Sequence, residues 1–320
     1  MHATEAIVTG KPVARTRRRA GGLISPPARG QRDGRRISYR LWFALPAIAL
    51  TVFFFGLPFI ANAFLSFTKW TGFSSTISFN GLDNFISLSK LGILGHATYV
   101  TVVYAVITML AQNVVALMMA KALQSSNRLN TFYRSLFFAP VLFSPLAAGY
   151  IWSAMLAPAG PINGFIGLFV PGFHFAWLGE QSTALIMVAL IDAWKWSGLV
   201  TLVYISGLNT ISRSVIEAAV LDGASAWRRF RSIEMPLLAP AFTFNVVLTL
   251  VGSFSALDII FSTTKGGPGD ATEVLNFAVY NQYGQGLFGT SSALSFMIAI
   301  LVMITAVPLI WYLRKREVHE

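Results

Sequence analysis

The chain has 320 residues, of which 55% are hydrophobic and 12% charged, with a formal net charge of +11 and a mean hydropathy of +0.62. Soluble domains are roughly half apolar and a quarter charged, so this balance excludes an ordinary soluble protein and indicates an all-α, polytopic membrane protein. The absence of cysteine excludes disulfides and thiolate chemistry, and His2, His96, His174 and His319 stand at no metal-ligand spacing.

Residues 1–40 form a basic tail, expected to be disordered, that carries ten of the 24 lysines and arginines. A cleaved secretory signal is disfavoured: the apolar run that follows is nearly twice as long as a signal core of about 7–15 residues. Nucleic-acid binding is disfavoured too, because "RTRRRAGGLISPPARGQRDGRR" has no interleaved aromatics. A topology anchor near anionic membrane lipid explains the charge with less.

Six apolar runs, 41–67, 97–123, 135–156, 184–208, 237–257 and 293–313, are long enough to cross a hydrocarbon core of about 30 Å as helices of about 20 residues. Lipid offers no partner to stray backbone groups, so these runs are expected to be helices packed as one transmembrane domain over 41–313. A further apolar piece, 161–177, is broken by Pro161, Gly164, Gly167, Pro171 and Gly172, and reads as a short helix at the membrane surface.

Charge sets the orientation. Twenty of the 24 lysines and arginines fall in the tail, around Lys121, Arg128 and Arg134, in the loop 209–236, and in the last residues, 314–320. Lys69, Lys90 and Lys265 fall on the other side and Lys195 lies within a span. The positive-inside rule then puts both termini and the loop 209–236 in the cytoplasm.

Within the fourth span, "IDAWKWSGL" sets Asp192 and Lys195 at i, i+3, where each charge alone costs roughly 2.5–3.5 kcal/mol on insertion scales. Facing one another they offset that cost, either as a structural ion pair or, with Trp194 and Trp196 beside them, as a sugar or gate site. Asn245 and Ser253 in the fifth span and Asn113 in the second are either substrate-path residues or interhelical hydrogen-bonding groups. Beyond the fifth span, the turn-rich "TTKGGPGDAT" (263–272) is either a plain connector or a surface that receives another protein.

The loop 209–236 concentrates the remaining chemistry. Residues 214–221 have helical spacing, with Ile216 and Val220 on one face and the small Ala218 and Ala219 allowing a close approach. Gly223 breaks the helix, Asp222 or Ser225 caps a second one carrying Trp227, Phe230 and Ile233, and Pro236 ends it and starts the fifth span. The expected product is a helix-turn-helix knob with an apolar face and charged flanks.

"EAAVLDGASAWRRFRSIEMPLLAP" (217–240) closely resembles the EAA loop of permease subunits of ABC importers. The matching residues are Glu217, Ala218, Ala219, Asp222, Gly223, Ala224, Phe230, Ile233, Pro236, Leu237, Leu238 and Pro240. "GLDNF" (81–85), "FFAPVLFSPLAAGYIWSAML" (137–156), "PINGF" (161–165), "ISGLNTIS" (205–212) and "FSTTKGGPGDAT" (261–272) resemble the carbohydrate-importing, maltose and glycerol-phosphate branch. Ser212 stands where that family usually has proline.

The resemblance implies a type I ABC importer permease fold of six spans in a bacterial inner membrane, with a coupling helix seated in a groove of a cytoplasmic ATP-binding subunit. It also implies two such ATPases, a second related permease, an extracytoplasmic solute-binding protein and a carbohydrate substrate. This chain itself lacks a phosphate-binding G-x-x-x-x-G-K-[ST] loop, its single Gly-Lys (Gly10-Lys11) being followed by Pro12. ATP and Mg are therefore expected in a partner, with no cofactor, metal or catalytic residue here. An ion-coupled secondary carrier would account for the spans and for Asp192 with Lys195, but leaves the loop unexplained and favours an inverted repeat that is not seen. A membrane hydrolase would need a nucleophile or metal motif that is absent, and a channel would need no groove-fitting knob.

Overall fold

The computed structural model describes residues 34–315, with side chains from Phe43 onward. The predicted tail up to residue 33 and the terminal residues 316–320 lie outside the described residues.

Residues up to Phe55 form one unit and those from Gly56 a second. The first holds α1 (Gly34–Thr51) and most of a π-helical turn, Val52–Gly56; α1 begins seven residues ahead of the run that starts at Leu41. The second continues with α2 (Leu57–Leu65), α3 (Asp83–Lys90), α4 (Ile93–Ala122), α5 (Arg128–Leu142), α6 (Pro145–Met155) and α7 (Pro161–Gly167). Then come α8 (Gln181–Thr210), α9 (Arg213–Leu221), α10 (Ala226–Arg229), a π-helical turn (Phe230–Glu234) and α11 (Met235–Leu237). The chain closes with α12 (Ala239–Phe254), α13 (Asp258–Thr263), α14 (Leu275–Gly284) and α15 (Phe288–Arg314).

Among the described residues four helices are long and apolar enough to cross a membrane, Phe43–Leu65, Ile93–Ala122, Gln181–Thr210 and Phe288–Arg314, and the number rises to six if two bent pairs each count as one span. The third predicted span is not straight: α5 and α6 meet at 100°. The cause is local. Pro140 sits in the last turn of α5, and Ser144 caps α6 by accepting the Ala147 N–H at 3.1 Å, with Pro145 at the first helical position. The fifth predicted span coincides with α12, shorter at each end than 237–257, and 161–177 yields only α7 followed by turns.

Pro236 does not end the knob's second helix. The helical path runs through α11 and bends by 72° at Leu238. The π-helical turn makes this possible, since the Met235 N–H bonds the Phe230 carbonyl and widens the backbone where the Pro236 ring would otherwise meet the carbonyl of Ser232.

The core of the second unit is built on α4 against α8. Small residues on both, Ala116 and Ala120 packed with Val200, Tyr204 and Leu208 of α8 and Ala189 packed with Val100 and Tyr104 of α4, are buried and let the backbones approach. Gly198 does the same for α8 against α5: a Cβ there would lie 2.4 Å from the Phe137 carbonyl oxygen of α5. Large apolar side chains such as Leu110, Val114, Leu136 and Ile304 remain exposed on the outside of the helices, as expected of surfaces that meet lipid or another subunit.

Candidate functional site

The loop 209–236 folds into the expected helix-turn-helix. Gly223 supplies the turn at φ +75°, a left-handed conformation that a side chain resists, and a Cβ added there would meet nothing within 4 Å. Asp222 closes α9, and Ser225 is the cap of α10, accepting the Arg228 N–H at 3.3 Å. Ala219 and Ile216 turn toward the body of the protein while Glu217, Ala218, Val220 and Leu221 are exposed. Val220 therefore lies on the outer face and not with Ile216 on a covered one. Leu221, 88% exposed, and Trp227, 68% exposed, complete an apolar tip around Gly223 and Ala224. Phe230 is half-buried, 5.9 Å from the Trp227 ring, and Pro236 is exposed. Glu217 is held by Arg213 at 3.2 Å, an exposed i, i+4 pair of small energetic weight.

The base of the knob is tied down by a residue that sequence reasoning missed. Glu234, 3% exposed, closes the π-helical turn, forms an ion pair with Lys121 in the last turn of α4, and receives the Arg229 Nε at 3.4 Å. Lys121 also lies 5.9 Å from the centre of the Phe230 ring. Leu238, fully buried among Ala116, Ala120, Tyr204 and Leu208, seats the bend that follows.

Along α8 the structure separates the predicted polar pair. Asp192 Oδ2 accepts the Tyr104 hydroxyl of α4 at 2.9 Å, whereas the Lys195 ammonium lies 3.8 Å over the Trp196 ring. Among the described residues Asp192 and Lys195 form no ion pair, because each finds its own neighbour: a phenol on the facing helix and an aromatic face. Asp192 and Trp196, with Gln112, Thr249, Ser253, Asp258 and others, line a cavity of about 520 Å³. Lys195 and Trp194 do not line it; Trp194 packs edge-on to Trp152 at 5.3 Å. Asn245 is a bridge: its Nδ2 donates to the Val200 carbonyl at 3.2 Å and it is fully buried, away from the cavity wall. Asn113 likewise joins helices, donating to Thr249 Oγ1 at 2.9 Å and accepting from Tyr204 at 2.6 Å. Of the predicted path residues, Asp192, Trp196 and Ser253 thus face one open space, and Trp194, Lys195, Asn245 and Asn113 do not.

The sequence matches the binding-protein-dependent transport system inner membrane component family over residues 112–314. The chain belongs to that family. Among the family's curated relatives it is similar to the sn-glycerol-3-phosphate transport system permease protein UgpA of Brucella suis biovar 1 (strain 1330), 38% identical over 82% of this chain and 90% of that protein. It is also similar to the multiple sugar-binding transport system permease protein MsmF of Streptococcus mutans serotype c, 29% identical over 89% of this chain and 99% of the relative. A chain of the bacterial alginate ABC transporter, solved with an alginate pentasaccharide-bound periplasmic protein, shares the fold at TM-score 0.72 and 16% identity, covering 87% of this chain and 93% of that one.

The family's remaining motifs hold structure in this member. Asn84 of "GLDNF" donates to the Ser66 and Thr68 carbonyls at 2.8 and 2.9 Å, and Asn163 of "PINGF" accepts the Trp177 indole N–H at 2.8 Å. The segment 263–272 is a built loop: Lys265, Gly266, Gly269 and Asp270 have positive φ, buried Thr272 donates to the Gly267 carbonyl at 2.8 Å, and the His96 ring lies 2.8 Å from the Asp270 carbonyl oxygen. Next to it, burial pushes the Glu273 carboxyl above the usual carboxylate range; Asn281, donating at 3.2 Å, and the nearby His96 oppose this, and Asp270 adds to it.

Proposed function

We propose that this permease is one of two membrane subunits of an ATP-driven importer of carbohydrate or a related polyol in a bacterial inner membrane. The substrates named for its relatives, multiple sugars, starch degradation products and sn-glycerol-3-phosphate, support that class. Its six spans, each bent pair taken as one, have both termini on the cytoplasmic side, the orientation favoured by the lysine and arginine distribution.

The observation that carries the reading is the exposed tip of the knob. Ala218, Val220, Leu221, Gly223, Ala224 and Trp227 make an apolar, small-residue surface flanked by Glu217, Asp222 and Arg228, and a soluble partner with a groove would cover it. In this proposal the partner is a dimer of ATP-binding subunits that hold ATP and Mg. Their closure displaces the knob, and the rigid α4 and α8 body turns that displacement into rocking against the second permease. The cavity beside Asp192 and Trp196 is this subunit's share of the path, where an aromatic face can stack on a sugar ring and a carboxylate can accept its hydroxyls. The built loop 263–272 receives the solute-binding protein. The ion-coupled carrier reading gains nothing from the structure, since Asp192 and Lys195 are not paired.

Affinity purification of the tagged chain from its native membrane tests this. An ATPase is expected to co-purify and to be lost on Leu221→Asp with Trp227→Asp; a wild-type preparation with no ATPase overturns the proposal.

A further inference from the structure

Resting on the coupling-loop reading, we propose that Glu234 is the positioning residue through which displacement of the knob reaches α4. The knob has two ways to move the bundle. One is covalent, from α8 through Ile211 and Ser212 at one end and through the 72° bend at Leu238 into α12 at the other. The covalent links lead to α8 and α12, and neither enters α4. The other is the ion network, where one buried carboxylate grips Lys121 of α4 and Arg229 of the knob at once.

The location gives this contact leverage. Lys121 lies in the last turn of α4, and on the same helix Gln112, about 13 Å away at 1.5 Å per residue, lines the cavity. Tyr104, about 26 Å away, holds Asp192 at the cavity wall. A rigid helix therefore joins the grip at the knob to the groups that face the path. Beside the network a cavity of about 280 Å³, lined by Leu208, Asn209, Ile216, Arg213 and the three charged groups, leaves room for Glu234 to shift its weight between Lys121 and Arg229 as the knob moves. Burial of Glu234, 3% exposed, makes the contact strict, because its carboxylate depends on these two partners for most of its compensation.

The test uses the complete complex in proteoliposomes and reads ATP hydrolysis and substrate uptake together, so that their ratio is the readout. Glu234→Gln, close in shape and able to hydrogen-bond, is expected to assemble, to retain ATP hydrolysis, and to lower uptake per ATP by about tenfold. The exchanged pair Lys121→Glu with Glu234→Lys is expected to restore a large part of the ratio. A simple structural role would instead lower thermal stability and yield and leave the ratio per assembled complex unchanged, and that result overturns the proposal. Gly223→Asp serves as the control. If it uncouples while Glu234→Gln does not, the loop reading stands and Glu234 is excluded; if neither variant changes the ratio, both fall.

Discussion

The Tyr204 hydroxyl of α8 donates to Asn113 Oδ1 of α4 at 2.6 Å, and the Asn113 amide passes the chain on to Thr249 of α12 at 2.9 Å. Three helices are thereby held in one register by buried side chains. Tyr204→Phe leaves the Asn113 oxygen unpaired and is expected to cost about 0.6–1.7 kcal/mol, the span of single interhelical hydrogen bonds in membranes. Thermal unfolding of the detergent-solubilised protein checks this, and an unchanged midpoint would remove the network from the account.

Gly198 permits the closest approach between α8 and α5. Gly198→Ala puts a Cβ 2.4 Å from the Phe137 carbonyl oxygen and 2.9 Å from the Phe138 Cα, both backbone atoms that cannot swing away. The expected penalty is about 1–3 kcal/mol of overpacking, read as a lowered yield of folded protein. Gly252→Ala, where nothing lies within 4 Å, is the neutral comparison.

The cavity assigns unequal roles to Asp192, Trp194 and Trp196 of α8. Trp196→Ala and Asp192→Asn are expected to reduce uptake at least tenfold, whereas Trp194→Phe, whose ring packs on Trp152 outside the cavity, is expected to leave it near wild type. Equal sensitivity at Trp194 and Trp196 in an uptake assay would contradict the assignment.

Glu273 makes the loop beside it pH-dependent. Its folded pKa is raised by burial, so its contribution to stability is present below the unfolded value, about 4.3, and is lost as pH rises through the folded value. The groups that face it are Asn281, Asp270 and His96. Amide exchange in residues 263–281 is expected to quicken from acid toward neutral pH after correction for intrinsic rates, and Glu273→Gln is expected to flatten that trend.

Local signals were readable in the chain and distant ones were not. The knob was legible because Gly223, Ser225 and the spacing of the apolar residues act within a few positions of one another. The broken third span had its signal too, in Pro140, Ser144 and Pro145, but unbroken apolarity over 135–156 outweighed it. Helix α14 was missed because "LNFAVYNQYG" mixes polar and apolar residues without a period. At the site, the i, i+3 spacing of Asp192 and Lys195 permitted a pair, yet Tyr104, 88 positions away, takes the carboxylate. Glu234 escaped notice for the same reason, its partner Lys121 being 113 positions distant. Lipid-facing helices select partners by packing that no local pattern encodes.

The central claim is that the knob transmits ATP-driven motion to the membrane helices. The most direct measurement is ATP hydrolysis in proteoliposomes holding the complete complex, wild type against Gly223→Asp, with and without sugar-loaded binding protein. Wild type is expected to be stimulated by the loaded binding protein, and the variant to assemble without being stimulated. Equal stimulation of both, with equal uptake, would contradict that claim.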